Sequence, residues 1–361
     1  MSGSGTSTTP GWAVRKVTVI GCGLIGTSVG LALRRAGVRV ALADRDPRAV
    51  ETAARRGAGV PLAGEAALGV GGPLAGEAPL RAGGLLSVGG PLAGEAALST
   101  GGPLDAGGPL SGEAPWGQGP ADVVVIATPP STVVPVLRWA QERGLGVLYT
   151  DVASVKARLL AGAEAAGCDL ASFVPGHPMA GRESSGPAAA SADLFEGRAW
   201  AVCHHPALSP QAVRAVTTLV STCGARVVPM EAEAHDRAAA AVSHAPHVVS
   251  SSLAARFAGS GEAALILAGR GLLDVTRVAG GPSGLWRDIL EHNAEPVADV
   301  LEAVADDLSS VVAALRSGDP ARLRALTDVL GAGNAGRSRI VRSWPGTAGD
   351  PHGRRETAAT G

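Results

Sequence analysis

The sequence predicts a doubly wound parallel α/β sheet followed by an all-helical domain. Three observations carry that expectation. Short, nearly continuous Val/Ile runs recur through residues 14–230 with helix-length segments between them, as strands covered on both faces require. A Gly21-x-Gly23-x-x-Gly26 turn follows the first run and opens a helical stretch. From about residue 231 strand patterns stop, and apolar stripes at helical spacing remain.

The expected strands are 15–20, 38–43, 122–127, 146–150, 172–175, 199–203 and 225–229, all in one parallel sheet. The second domain, 231–335, is expected to hold helices at 232–257, 261–268, 283–293, 296–316 and 320–331. In the fourth, Val297, Val300, Leu301, Val304, Leu308, Val311, Val312 and Leu315 form one apolar stripe. Gly318-Asp319-Pro320 then supplies a helix stop, an N-cap and a proline at the first helical position. Residues 1–13 and 336–361 are Gly/Ser/Thr/Arg-rich and aperiodic, and read as disordered tails.

Residues 60–119 interrupt the first domain. PLAGEAAL or PLAGEAPL units begin at Pro61, Pro73 and Pro91, with shorter PL units at Pro103 and Pro109, all offset by multiples of six. The units lack the β-branched residues that would stack inside a β-helix, so the segment reads as a solvated low-complexity insertion. It is expected to replace the usual short third-strand region.

Composition excludes several classes. A net charge of −1 from 31 basic and 32 acidic residues provides no electrostatic footprint for nucleic acid. No run of about 20 apolar residues is free of Pro, Gly or charge, so no membrane span is expected. The first residues lack a basic segment followed by an apolar one, so a cytoplasmic protein is expected. Cys22, Cys168, Cys203 and Cys223 are scattered without a CxxC pair, which indicates neither a zinc ribbon nor a disulfide framework. The only two lysines, Lys16 and Lys156, stand against 29 arginines.

The glycine turn reads as a Rossmann-type nucleotide site. Gly21 permits the tight turn, Gly23 lets the backbone approach a pyrophosphate, and Gly26 allows close helix–strand packing, with Leu24 and Ile25 between them. The helix N-terminus offers unpaired N–H groups to phosphates. Asp44, 18 residues past Gly26, ends the next expected strand and can accept hydrogen bonds from both adenosine ribose hydroxyls. That favours NAD over NADP, although the neighbouring Arg45 could accept a 2′-phosphate.

Three further segments fall just past strand ends on the same edge: Thr128-Pro129-Pro130, Asp151 to Lys156, and Gly176 to Gly181. Thr128, Pro129 and Asp151 are therefore further candidates for cofactor contact. His177, after a strand and before a proline, is placed to take a proton from a substrate hydroxyl while hydride leaves the same carbon. Ser154 could bond that hydroxyl or orient the imidazole. A structural histidine in a proline-containing turn is the competing reading of His177.

DVASVK (151–156), GHPMAGRESSG (176–186), SHAPH (243–247) and DVTRVAGGPSGLWRDIL (274–290) together resemble the prephenate/arogenate dehydrogenases of tyrosine biosynthesis. The resemblance covers roughly residues 15–58 and 120–331. It implies NAD-dependent oxidative decarboxylation of prephenate to 4-hydroxyphenylpyruvate, or of arogenate to tyrosine, with prephenate the first choice. It implies His177 as base, Ser154 on the ring hydroxyl and beside the nicotinamide, and Arg277 on the ring carboxylate. Glu183 and Asp274 then form a gating ionic network with Arg277, His244 and His247 line the pocket, and Trp286 belongs to its helical wall. It also implies a homodimer built through the helical domains.

Plainer readings compete. His244 and His247 have no carboxylate or cysteine at ligand spacing in their segment, so no metal is expected. Arg277 and Asp274 fit a helical i, i+3 ion pair, Trp286 fits a core position, and the 297–315 stripe fits plain core. A β-hydroxyacid dehydrogenase would share the layout but needs a catalytic lysine on the first interdomain helix, and residues 231–258 contain none. A nucleotide-binding regulatory protein that recruits partners through the Pro/Gly repeat is the third possibility.

Overall fold

The computed structural model describes residues 13–62, 119–182, 184–259, 261–317 and 319–343. The expected insertion falls mainly on residues outside the described ones, as do most of both expected tails. The first domain contains β1 (Lys16–Ile20), α1 (Leu24–Arg35), β2 (Arg39–Ala43), α2 (Pro47–Arg55), β3 (Val60–Pro61), β4 (Ala121–Ile126), α3 (Pro130–Glu142), β5 (Gly146–Asp151), α4 (Ala157–Ala165) and β6 (Phe173–Val174). It continues through β7 (Gly176–Pro178), β8 (Ala199–His204), α5 (Pro210–Thr222) and β9 (Arg226–Glu231).

The first six strands form an all-parallel sheet ordered β3-β2-β1-β4-β5-β6. In β4, Val123 and Val125 point into one core cluster, with Val29, Leu33 and Leu219. Val124 and Ile126 point into the other, with Leu137, Tyr149 and Phe173. This period-2 division between two covered faces is why the strand reads as an unbroken apolar run. Helix starts follow local chemistry: Asp46 and Ser209 accept the N–H groups of Arg48 and Ala212, and Pro47 and Pro210 take the first helical positions.

Four expectations need correction. The strands do not all join one sheet, because β7, β8 and β9 form a second one in which β7 runs antiparallel to β8. Pro175 divides the expected 172–175 strand from β7; having no N–H it cannot extend a ladder as donor, and its carbonyl instead accepts Cys203 N–H at 2.8 Å. The third strand is not replaced by the insertion. Val60–Pro61, the first residues of that expected segment, pairs with Ala41 and Leu42.

The helical part contains α6 (Ala232–Ala239), a π turn (Ala240–His244), α7 (Ala245–Ala254), α8 (Glu262–Ile266), α9 (Arg270–Thr276), a 3₁₀ turn (Arg277–Gly280), α10 (Ser283–His292), α11 (Ala294–Ser317) and α12 (Pro320–Ser343). The helix expected over 232–257 is thus broken by the π turn. Pro246 has no N–H and its ring crowds the carbonyl four residues back, and the wider turn relieves both problems. Finally, α12 runs to Ser343, past residue 336 where the expected tail begins. Among the described residues, no helix is long and apolar enough to cross a membrane.

Candidate active site

The sheet reverses direction of growth between β1 and β4, so a crevice opens at their carboxyl ends. Gly21 has φ +104°, and a Cβ there would collide with the Ala127 carbonyl. A Cβ on Gly26 would collide with the Gly21 carbonyl, whereas one on Gly23 would meet nothing within 4 Å. The turn is therefore tight on its inner side and open on its ligand side. Gly23 caps α1 without a side-chain hydrogen bond, leaving its first N–H groups to a phosphate.

Asp44 lies beyond the end of β2, where its Oδ2 accepts the Cys22 N–H at 2.5 Å and its Oδ1 accepts that of Asp46 at 2.9 Å. Both oxygens keep a lone pair for ribose hydroxyls. Arg45 beside it is exposed. Thr128 follows β4, and its buried hydroxyl has no partner in the protein. Pro129 then leads into α3. Leu24 and Ile25 are half-buried against the core. An open backbone turn, a fixed acid and an orphaned hydroxyl suit a dinucleotide.

Beyond β5 the chain builds a second cluster. Lys156 and Asp151 are both 0% exposed and form an ion pair. Lys156 Nζ also donates to Gly176 O at 2.7 Å, while Asp151 accepts the N–H groups of Ala153 (2.9 Å) and Gly176 (3.1 Å). This corrects the expectation for Asp151. Its carboxylate is committed to pinning β5 against β7 and has no surface to offer a cofactor. Ser154 sits half-buried in the loop so fixed.

His177, in β7 and 8% exposed, places Nδ1 2.8 Å from His235 Nε2. His235 Nδ1 is in turn 2.8 Å from Asp236 Oδ1. Asp236 also accepts the N–H groups of Lys156 and Ala157, each at 2.8 Å, which ties α6 to the start of α4. Burial, followed by the charges of His235, Lys156 and His244, holds the His177 imidazolium well below its usual range. His177 is consequently a neutral base at neutral pH.

Asn293 donates through its side chain to Asp236 O at 2.9 Å and lies 3.0 Å from His244 Nδ1. Burial lowers His244 to about 4, so its ring is neutral. Accepting at Nδ1 puts its proton on Nε2, a buried atom without a partner. His247 stacks on Trp286 with centroids 3.5 Å apart and planes 11° apart, and its Nδ1 is likewise buried and unpartnered. Gly281 is wedged against both rings.

The structure therefore gathers His244, His247 and Trp286. Arg277 and Asp274 are exposed, on the 3₁₀ turn before Gly281 and on α9. That segment is held by a Ser250 hydroxyl bond to Val275 O at 2.8 Å. Glu183 lies outside the described residues. Sequence reasoning missed His235, Asp236 and Asn293. The available signal was an adjacent His-Asp pair opening the first helix of the second domain.

Profiles of two families match the chain: "Prephenate dehydrogenase, nucleotide-binding domain" over residues 118–229 and "Prephenate dehydrogenase, dimerization domain" over 231–328. The Streptomyces niveus protein named "Probable prephenate dehydrogenase NovF" is 34% identical over 84% of this chain and 69% of its own length. The chain belongs to the prephenate dehydrogenase family. As a member it is an oxidoreductase with a nucleotide-binding domain and a domain of the family's dimerization type. It spans only 50%, 52% and 55% of three further family relatives.

Two solved structures share the fold. The Aquifex aeolicus prephenate dehydrogenase in complex with hydroxyphenyl propionate and NAD+ has a TM-score of 0.66 at 22% identity, covering 91% of this chain and 99% of that one. The Synechocystis arogenate dehydrogenase has a TM-score of 0.62 at 22% identity, covering 90% and 99%.

Two predictions follow from the geometry. Lys156→Met strands the Asp151 charge in the interior and should lower unfolding free energy by about 3–5 kcal/mol, read as a lower urea midpoint. Acidification should also destabilise the protein. Between pH 6.5 and about 4 the unfolded chain takes up a proton that folded His244 refuses, so stability present at pH 7 is lost on descending through that window. The loss attributable to His244 is about 3 kcal/mol. Urea titrations at pH 7 and pH 5 should show about 2 kcal/mol of it, and His244→Gln should flatten the dependence.

Proposed function

We propose that this chain is an NAD-dependent prephenate dehydrogenase, converting prephenate to 4-hydroxyphenylpyruvate and CO2. The observation that carries the reading is His177, a buried neutral imidazole in β7, whose neighbour Gly176 is bonded to Asp151 and Lys156 at the carboxyl end of β5, in the sheet that bears the Gly21–Gly26 turn. Dinucleotide binding rests on the open face of Gly23, the Asp44 carboxylate and the unpartnered Thr128 hydroxyl. Asp44 favours NAD because its charge repels a 2′-phosphate, and exposed Arg45 leaves room for some NADP use.

In this mechanism His177 Nε2 accepts the proton of the ring hydroxyl as the carbinol carbon becomes a carbonyl. Bound nicotinamide supplies the acceptor for the hydride that leaves that carbon. The bond from the ring to its carboxylate then breaks, its electron pair enters the ring, and CO2 departs. The oxygen becomes a phenolate and recovers its proton from His177, so the base ends as it began. Aromatisation drives the sequence. Ser154 contacts the same hydroxyl, and the Arg277 guanidinium receives the ring carboxylate as a bidentate fork, tuned by Asp274 and Glu183.

A homodimer is part of the proposal. Leu308, Leu315, Leu330 and Ile340 are exposed apolar residues on α11 and α12, as uncovered interface residues would be.

Initial rates of reduced cofactor formation with prephenate and with arogenate, each with NAD and NADP, test the reading. Turnover of prephenate with NAD is expected, while preference for arogenate would reassign the substrate. Absence of turnover of both acids, with NAD binding measured separately, would overturn the assignment and favour a regulatory protein. His177→Asn should retain NAD binding and lose kcat by about 10²–10⁴.

A further inference from the structure

The His177–His235–Asp236 chain has a consequence that follows from counting protons. Asp236 accepts two backbone N–H groups, from Lys156 and Ala157, and an ionised carboxylate has no proton to give. The contact between Asp236 Oδ1 and His235 Nδ1 therefore requires the proton on Nδ1 of His235. A neutral His235 then presents a lone pair at Nε2. Its 2.8 Å contact with His177 Nδ1 in turn requires the proton of His177 on Nδ1. The one nitrogen of His177 left with a lone pair is Nε2.

We infer that Asp236, acting through His235, is a positioning residue that selects the Nδ1–H tautomer of His177 and so makes Nε2 the proton acceptor. The opposite tautomer would present an N–H to the substrate hydroxyl and could not remove its proton. Reversing the chain needs one change: a donor in place of the Asp236 carboxylate. In Asp236→Asn, an amide nitrogen at the Oδ1 position donates to His235 Nδ1, His235 then donates from Nε2, and His177 is left protonated at Nε2. Each amide orientation sets the NH2 against one backbone N–H, that of Lys156 at the Oδ1 position or that of Ala157 at Oδ2, and only the first reverses the chain.

The groups facing His177 are few. Among the described residues they are His235 on α6, bonded in turn to Asp236, Lys156 paired with Asp151, and His244 on the π turn, while Cys203 on β8 lies near Lys156, Asp151, Asp236 and Glu231. Lys156 is neutralised by Asp151, and burial pushes the Cys203 thiol up to about 12. Asp236 is the carboxylate hydrogen-bonded to His235, so removing its charge makes proton uptake at His177 less favourable.

The role rests on the proposed base function of His177, so the test includes a readout that needs no turnover. Imidazole ¹⁵N NMR of the full chain, with the His177 signals assigned through His177→Asn, should show Nδ1–H and unprotonated Nε2 in the wild type near pH 7.5. Asp236→Asn should move part of the His177 population to the Nε2–H form. With prephenate and NAD its kcat should fall more than threefold, and by up to about 100-fold, the worth of a positioned base, where the inverted form dominates, with KM for prephenate within about threefold. Its residual activity should have an acid limb shifted to lower pH, because the charge that favours proton uptake by the pair is gone. His235→Leu, which removes the relay acceptor outright, should lose kcat by about 100-fold, whereas His235→Gln, whose amide can accept from His177 and donate to Asp236, should recover at least tenfold over it. These two variants decide the matter if Asp236→Asn does not fold.

An Nε2–H tautomer of His177 in the wild type, or a kcat in both Asp236→Asn and His235→Leu within threefold of wild type, would overturn the inference. A wild-type chain with the Nδ1–H tautomer but no prephenate turnover would overturn the proposed reaction and leave the tautomer assignment standing.

Discussion

A single ion pair with no exposed surface, Lys156 with Asp151, organises the carboxyl edge of the sheet. Buried charges are tolerated only when their remaining hydrogen-bonding capacity is also met. Here that requirement recruits Ala153 N–H, Gly176 N–H and Gly176 O, which are backbone groups of two different strand ends. Satisfying the pair fixes the loop bearing Ser154 and the first residue of β7. His177 is the next residue, so its position follows from an electrostatic need nearby rather than from its own packing alone.

The same device joins the two domains. Asp236 of α6 accepts the N–H groups of Lys156 and Ala157 at the start of α4. Asp288 of α10 accepts the Ser131 N–H at 3.1 Å and its hydroxyl at 2.9 Å, in the first turn of α3. In each case a carboxylate from the helical part occupies the positive end of a helix from the sheet domain. Both helix starts lie at the carboxyl edge of the sheet, so the domain contacts also define the walls of the candidate site. The histidines of the π turn and α7 are carried to that edge by the same docking.

Much of this was legible in the sequence because it depends on local periodicity and backbone chemistry. β1, β2, β4 and β5 lie within one residue of their expected bounds, since two covered faces leave an unbroken apolar signature. The close packing at Gly21 and Gly26 was readable because each depends on a missing Cβ. Partnerships across 58 residues, such as His177 with His235, leave no periodic trace. Asp151 shows the same limit from the other side. Its place after a strand invited a cofactor role, and only tertiary burial reveals the Lys156 partner. The short α9 escaped notice because seven residues between glycines and a turn carry too little pattern.

The near-absence of lysine reaches beyond the site, into how the molecule behaves in alkaline solution. Arginine stays protonated in proteins, and one of the two amines is sealed in the sheet edge against Asp151. Burial pushes the thiols of Cys22, Cys203 and Cys223 up to about 12, and raises those of Cys168 and the lone tyrosine, Tyr149, as well. Few side chains are left to change charge once the histidines are neutral. The protein should keep an almost constant electrophoretic mobility over a broad alkaline range, where a lysine-rich chain would grow steadily more anionic.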